Sequence, residues 1–177
     1  AAALATVTAT AHAARRTAPD IRAVAFDAFP LFDPRPVRAA LHAVRPELAD
    51  RLLAAWRQRQ FAYTWLRTSA GRYADFEHCT RDALVAASDA LGASLKDAEI
   101  DRLVGVFRTL PPWPDVPDGL SALRDAGLRS VMLSNFTPSQ LESLVAKAGL
   151  ESHFDALLST HHARTFKPDP RAYALAL

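Results

Sequence analysis

The sequence predicts an α/β fold, a doubly wound parallel sheet whose first strand is followed by an inserted block of helices. Short apolar runs typical of buried strands occur at residues 21–26, 130–133 and 154–158. A helical pattern with short connections separates the second run from the third, as in a β-α-β unit of parallel strands. Residues 35–110 carry helical patterns and almost no strand signal. We therefore expect an α/β core from residues 21–34 and 114–177, and a helical cap insertion over residues 35–113.

The three strand runs lack the polar alternation of a half-exposed sheet, which predicts burial on both faces. Helices are predicted over residues 37–44, 49–66, 75–91 and 96–109 of the insertion, and over 117–127 and 138–148 of the core. The last of these has an N-cap at Thr137, proline at its first position and Gly149 as its stop. Prolines around Trp113 mark the return from the cap to the core.

The two ends of the chain give different signals. Residues 1–20 form an Ala-rich leader in which Ala11-His12-Ala13 has the small-x-small pattern of a signal-peptidase site. It is either the remnant of a signal peptide, which implies export to the periplasm, or a leader with no address, which implies the cytoplasm. At the other end, Asp169 and Pro170 predict a helix start, and only about two turns fit before Leu177. We therefore expect the C-terminal part of the core to be missing.

Composition excludes several classes of protein. The net charge of +2 over 177 residues does not support a nucleic acid partner. The sequence contains no stretch of 18 apolar residues, which is about the length that a membrane-spanning helix needs. A single cysteine, Cys79, excludes an intrachain disulfide framework and a multi-cysteine metal site.

Polar residues with chemical potential follow each predicted strand. Asp27 ends the first, Ser134 and Asn135 end the second, and Lys167 lies just past the third. The carboxyl ends of parallel strands meet at one edge of a sheet, where α/β folds bind ligands. Each residue taken alone also fits an ordinary turn or loop role. Together, a carboxylate, an anion-holding turn and a cation that keeps the carboxylate ionised indicate an active site.

This ordered set of Asp, Ser-Asn and Lys resembles the haloacid dehalogenase superfamily, with its Rossmann-like core. The resemblance implies that Asp27 is a nucleophile. Phosphatases of the superfamily place a second Asp two residues later, where this chain has Phe29, which donates no proton and offers no oxygen to magnesium. An aromatic residue there is similar to the L-2-haloacid dehalogenases, which need no metal or other cofactor. A phosphatase is the less favoured alternative.

The insertion supports the same branch. WRQRQFAYTWLR at residues 56–67 and GRYADF at residues 71–76 resemble the dehalogenase cap. Arg57 lies in an apolar helical stripe with Leu53, Phe61 and Trp65. If the guanidinium is buried there, it needs a partner such as an anionic ligand. In the alternative, the side chain stacks on an aromatic ring and keeps its charged head in solvent.

The resemblance implies hydrolytic dehalogenation of short L-2-haloacids to D-2-hydroxy acids through an ester on Asp27. Its partners are a small halogenated carboxylic acid and halide ion, and the family implies a homodimer. Arg57 and Asn135 are expected to hold the halide, Ser134 the substrate carboxylate, and Lys167, supported by Tyr173, the charge on Asp27. The expected dry pocket wall consists of Phe29, Gln58, Phe61 and Phe76.

Two departures from the family favour an alternative. Pro30 replaces a Gly-Thr pair after the nucleophile and lacks a backbone N–H and a hydroxyl. The acidic fourth motif of the family, linked to activation of the hydrolytic water, is expected beyond Leu177. The alternative is a catalytically impaired relative that binds a small carboxylate, or that alkylates Asp27 without releasing product.

Overall fold

The computed structural model describes residues 21–177 and confirms the α/β fold. Strands β1 (Ala23–Phe26), β2 (Arg129–Ser134) and β3 (Ala156–Ser159) form a parallel sheet in the order β1-β2-β3. Ala25 pairs with Val131, and Met132 pairs with Leu157, which aligns the carboxyl ends of all three strands. The predicted leader, residues 1–20, lies outside the described residues.

The prediction that β1 is buried on both faces is wrong for the described residues. Ala23 and Ala25 are exposed, whereas Met132 and Leu133 of β2 are buried. The physical reason is position, because β1 is an edge strand of this sheet and β2 is its centre. An apolar run of small residues does not by itself distinguish the two.

The helices predicted within residues 35–110 are present, with small shifts at their ends. Helix α1 (Ala28–Leu31) is a single turn that the sequence did not predict, because four residues show no periodicity. The insertion contains α2 (Arg35–Val44), α3 (Ala49–Ser69), α4 (Phe76–Leu91) and α5 (Asp97–Gly105). The helix predicted to reach residue 109 ends at Gly105 and continues as the 3₁₀ turn Val106–Arg108.

The core helices flank the sheet. They are α6 (Val116–Asp125), α7 (Pro138–Ala148) and the short α8 (Pro170–Tyr173), with 3₁₀ turns at Glu151–His153, Thr160–Ala163 and Ala174–Ala176. The predicted caps of α7 are confirmed: the Thr137 side chain accepts from the Gln140 N–H, and Gly149 ends the helix in the left-handed region at φ 67°. None of the helices within residues 21–177 is long and apolar enough to cross a bilayer.

Helix α3 packs on α4 through a face that the sequence analysis did not select. Trp56 and Gln60 are buried, and each donates a hydrogen bond to Thr80 of α4, at 2.8 Å to its carbonyl and 2.7 Å to its hydroxyl. The stripe containing Arg57 lies about 100° around α3 from this face and lines the cavity between cap and core. The Arg57 side chain is exposed along the cleft between cap and core, where an anionic ligand can reach it.

The chain leaves and re-enters the core through two adjacent segments. The Asp33 N–H donates to the Pro111 carbonyl at 2.8 Å, and the Trp113 N–H donates to the Leu31 carbonyl at 3.0 Å. The Arg35 guanidinium lies 5.1 Å from the centroid of the Trp113 ring. These contacts fix the crossing between the insertion and the sheet, and they place α2 and α3 over the carboxyl end of β1.

Candidate active site

Asp27 and Lys167 form an ion pair at the carboxyl edge of the sheet. The Lys167 Nζ lies 3.0 Å from Asp27 Oδ2 and donates a second hydrogen bond, at 2.8 Å, to the Leu133 carbonyl at the end of β2. The Ala28 N–H donates to Asp27 Oδ1 at 2.7 Å. The Asp27 side chain remains 37% exposed and that of Lys167 only 16%. The carboxylate is thus oriented at both oxygens and still open to a ligand.

Asp27 is at once a helix N-cap and the centre of the site. It caps α1, which is the ordinary turn role weighed from the sequence. Pro30 occupies the third position of that helix and is exposed. The first N–H groups of a helix have no intrahelical partner, so the missing N–H of Pro30 costs α1 nothing. The local structure therefore accommodates the substitution that departs from the family motif.

Asn135 is oriented by two hydrogen bonds to its side-chain oxygen. Oδ1 accepts from the Thr160 hydroxyl at 3.2 Å and from the Lys167 N–H at 3.0 Å. Because both donors occupy the oxygen, the amide NH₂ is kept as the free donor end. Ser134 is buried, and its Oγ accepts from the Phe136 N–H at 3.2 Å, so it also serves the turn after β2. The predicted convergence of the three strand ends is therefore present.

A cavity of about 470 Å³ opens beside Asp27, between the cap and the core. Its lining is largely apolar and comes from the α1–α2 segment, α3 and Phe107. The lining residues are Asp27, Phe29, Pro30, Pro34, Arg35, Val37, Arg38, Leu53, Arg57, Gln60, Phe61 and Phe107. Such a mixture of apolar walls and a few charged groups is typical of a small-molecule site.

The three arginines of the cavity differ in their partners. Arg35 hydrogen-bonds Asp33 and holds the pKa of that carboxyl below its ordinary value, and Arg38 does the same to Asp50. Among residues 21–177 we find no carboxylate paired with Arg57. Arg57 is consequently the cavity cation whose charge is available to an anionic ligand.

Three expected site residues are not where the sequence analysis placed them. Gln58 is exposed and outside the cavity, because it lies about 100° around α3 from Arg57. Phe76 is only 2% exposed and packs behind Phe29, with ring centroids 6.3 Å apart, so it supports the wall without forming its surface. Tyr173 is 48% exposed, and within the described residues its hydroxyl has no hydrogen bond to Lys167 or Asp27. The expected support from Tyr173 is therefore absent from this arrangement.

Sequence reasoning missed several contributors. Thr160 directly follows β3, so the rule that located Asp27 and Ser134 could have found it. Arg35 and Arg38 of α2 line the cavity without a preceding signal, because their approach depends on how the cap folds back. In the described part of the chain, no group of three His, Cys, Asp or Glu side chains is arranged to hold a metal ion.

Comparisons with known proteins agree with this geometry. Residues 6–177 match the family model of haloacid dehalogenase-like hydrolases. The chain is 40% identical over 156 residues to an (S)-2-haloacid dehalogenase of Xanthobacter autotrophicus, covering 88% of this chain but 61% of the relative. Identity to an (S)-2-haloacid dehalogenase of Pseudomonas sp. strain YL is 38%, covering 88% of this chain and 68% of the relative. The chain thus spans about two thirds of the length of these relatives.

Solved structures show the same likeness. The L-2-haloacid dehalogenase from Xanthobacter autotrophicus superposes with a TM-score of 0.82 at 40% identity, over 88% of this chain and 63% of that one. A structure of the same enzyme with chloropropionic acid covalently bound also gives a TM-score of 0.82, at 39% identity and the same coverage.

Proposed function

The chain belongs to the family of haloacid dehalogenase-like hydrolases, and from that premise we propose that it dehalogenates short L-2-haloacids to D-2-hydroxy acids. One observation carries the proposal. The Asp27 carboxylate, held by Lys167 and the Ala28 N–H, faces an apolar cavity in which Phe29 stands where a phosphatase would need a proton donor. The similarity to the (S)-2-haloacid dehalogenases of Xanthobacter autotrophicus and Pseudomonas sp. strain YL supports it.

The first step is a displacement at carbon. An oxygen of Asp27 attacks the carbon that bears the halogen, the C–O bond forms, and the halogen leaves with the bonding electron pair as halide. Because the oxygen attacks from the face opposite the halogen, the configuration at this carbon is inverted. No proton is needed for this step, so charge stabilisation of the departing anion replaces general acid catalysis. The covalently bound chloropropionic acid in the Xanthobacter enzyme supports such an intermediate.

The second step returns the carboxylate. Water attacks the carboxyl carbon of Asp27, the bond from that carbon to the substrate oxygen breaks, and the hydroxy acid leaves. The balance is one haloacid and one water consumed, and one hydroxy acid, one halide and one proton released. The Lys167 ammonium, 3.0 Å from Oδ2, and the Ala28 N–H, 2.7 Å from Oδ1, stabilise the negative charge that builds on the carboxyl oxygens.

The other site residues contact different parts of the substrate. Arg57 and the Asn135 NH₂ group hold the halide, since no carboxylate within residues 21–177 pairs with Arg57 and the Asn135 side chain is an oriented donor. Ser134 and nearby backbone N–H groups hold the substrate carboxylate at the turn after β2. Phe29 and Phe61 form the apolar wall, with Phe76 packed behind it.

The test is halide release from L- and D-2-chloropropionate, with and without EDTA. We expect release from the L form only and no effect of EDTA, and loss of release in Asp27→Asn. Asp125→Asn, on the exposed side of α6, is the matched control and should leave release unchanged. Retained release in Asp27→Asn contradicts the assignment of the nucleophile.

A second candidate is favoured by Pro30, which removes a hydroxyl beside the nucleophile. In that case the chain binds a small carboxylate, or alkylates Asp27, without turnover. Intact-protein mass spectrometry after incubation with L-2-chloropropionate separates the outcomes. A stable propionate adduct on Asp27 indicates alkylation without hydrolysis, whereas the absence of both adduct and halide indicates that Asp27 is not alkylated. We also propose a homodimer, which light scattering in solution tests.

A further inference from the structure

We propose that Tyr73, which reaches from the helical cap to His161 of the core, is a positioning residue for Lys167 and Asn135. The inference rests on the proposed function for its kinetic consequences. It concerns the segment between residues 160 and 167, which follows β3 and ends at the lysine that contacts Asp27.

Tyr73 contacts the 160–167 segment through its hydroxyl and its ring. Tyr73 lies between α3 and α4, and its hydroxyl is 3.0 Å from His161 Nδ1. The Tyr73 ring packs on Phe166, with centroids 5.2 Å apart, and the Arg164 guanidinium lies 5.4 Å from its centroid. Burial raises the pKa of Tyr73, so the hydroxyl keeps its proton. One cap side chain therefore contacts three residues of the segment.

The contact is connected to the site through the same segment. Thr160, next to His161, donates to Asn135 Oδ1, and the Lys167 N–H donates to the same oxygen. Phe166, which the Tyr73 ring covers, is fully buried and immediately precedes Lys167. The segment is thus fastened to Asn135 at both ends and to Tyr73 in between. Loss of the Tyr73 contact frees the middle of a segment whose ends orient both site residues.

The Tyr73–His161 contact lies away from the two segments that connect the cap to the core. Cap and core are joined covalently at residues 31–35 and 110–113, beside β1. The Tyr73–His161 hydrogen bond joins cap and core just after β3, at the opposite edge of the sheet from β1. Phe76 of the cap also packs on Phe136 of the core, with ring centroids 5.2 Å apart, so the Tyr73–His161 bond restricts mainly the part of the cap next to the 160–167 segment. Tyr73 therefore couples the position of this part of the cap to that of Lys167.

The test uses Tyr73→Phe, which keeps the ring on Phe166 and Arg164 and removes only the hydroxyl. We expect kcat for halide release to fall about 3- to 10-fold, the range of one net hydrogen bond, with KM changed less than roughly twofold. Tyr63→Phe on α3, a partly buried tyrosine, is the control and should leave kcat unchanged. His161→Ala should match Tyr73→Phe, their combination should add nothing, and His161→Asn, which restores a polar atom near Nδ1, should recover part of kcat.

A second readout does not depend on turnover. The Lys167 amide is hydrogen-bonded to Asn135, so its hydrogen exchange should quicken by about tenfold in Tyr73→Phe and not in Tyr63→Phe. Unchanged exchange, or additive effects of Tyr73→Phe and His161→Ala on kcat, overturns the inference. If wild type releases no halide, the proposed function fails, and the exchange comparison still decides the role of Tyr73.

Discussion

Replacement of Lys167 by methionine tests the electrostatics of the site directly. Methionine keeps most of the side-chain length and removes the ammonium that contacts Asp27 Oδ2 at 3.0 Å and the Leu133 carbonyl at 2.8 Å. Loss of one donor to a developing oxyanion costs about 2.7–4 kcal/mol, or 10²–10³ in rate. Because Asp27 is 37% exposed, water replaces part of the lost stabilisation, so we expect the lower end, about a 100-fold loss of kcat.

The assay is multiple-turnover halide release from L-2-chloropropionate, together with intact-protein mass spectrometry of the Asp27 ester. Lys147→Met, at an exposed position of α7, is the matched control and should behave as wild type. A thermal melt of each variant shows whether Lys167→Met is folded. If folded Lys167→Met retains kcat within about threefold, the ion pair contributes little to the reaction and the reasoning is wrong.

Three further predictions concern the cap. Arg57→Gln should lower kcat/KM for halide release by about 10-fold or more, which is the contribution of one charged hydrogen bond. The control Arg51→Gln, on the outer face of α3, should leave kcat/KM unchanged. Equal effects of the two substitutions exclude Arg57 from the halide site. The Cys79 thiol is buried and its pKa is raised to about 11 by burial, so iodoacetamide at pH 8 should label it only after unfolding, and rapid labelling of folded protein contradicts this. Leu84→Ala, at a fully buried position of α4, should lower the free energy of unfolding by about 2–5 kcal/mol in urea titrations, and a loss below about 1 kcal/mol indicates a loosely packed cap.

The strands and the polar residues that follow them could be predicted from the sequence because both signals are local. Asp27, Ser134, Asn135 and Lys167 each follow an apolar run, and parallel pairing brings the ends of such runs to one edge. The ion pair between Asp27 and Lys167, 140 positions apart in the chain, follows from that rule without knowledge of the cap.

The cap residues could be predicted less well. The stripe with Leu53, Arg57 and Phe61 was found from its spacing, and all three residues line the cavity, but spacing does not tell which face of α3 meets α4. Gln58 was expected in the pocket wall from the family resemblance, and helical geometry turns it away from the cavity. Tyr73 was not singled out as a contributor, since its partners lie on distant segments.

The sequence by itself determined the fold class, the order of its elements and the chemical groups at the strand ends, because these depend on local periodicity, capping and the geometry of parallel strands. Only the tertiary structure decided which side chains face the cavity, which arginines are already paired, and how the cap is tied to the core. Those properties depend on helix rotation and on contacts between segments far apart in the chain, and no local pattern encodes them.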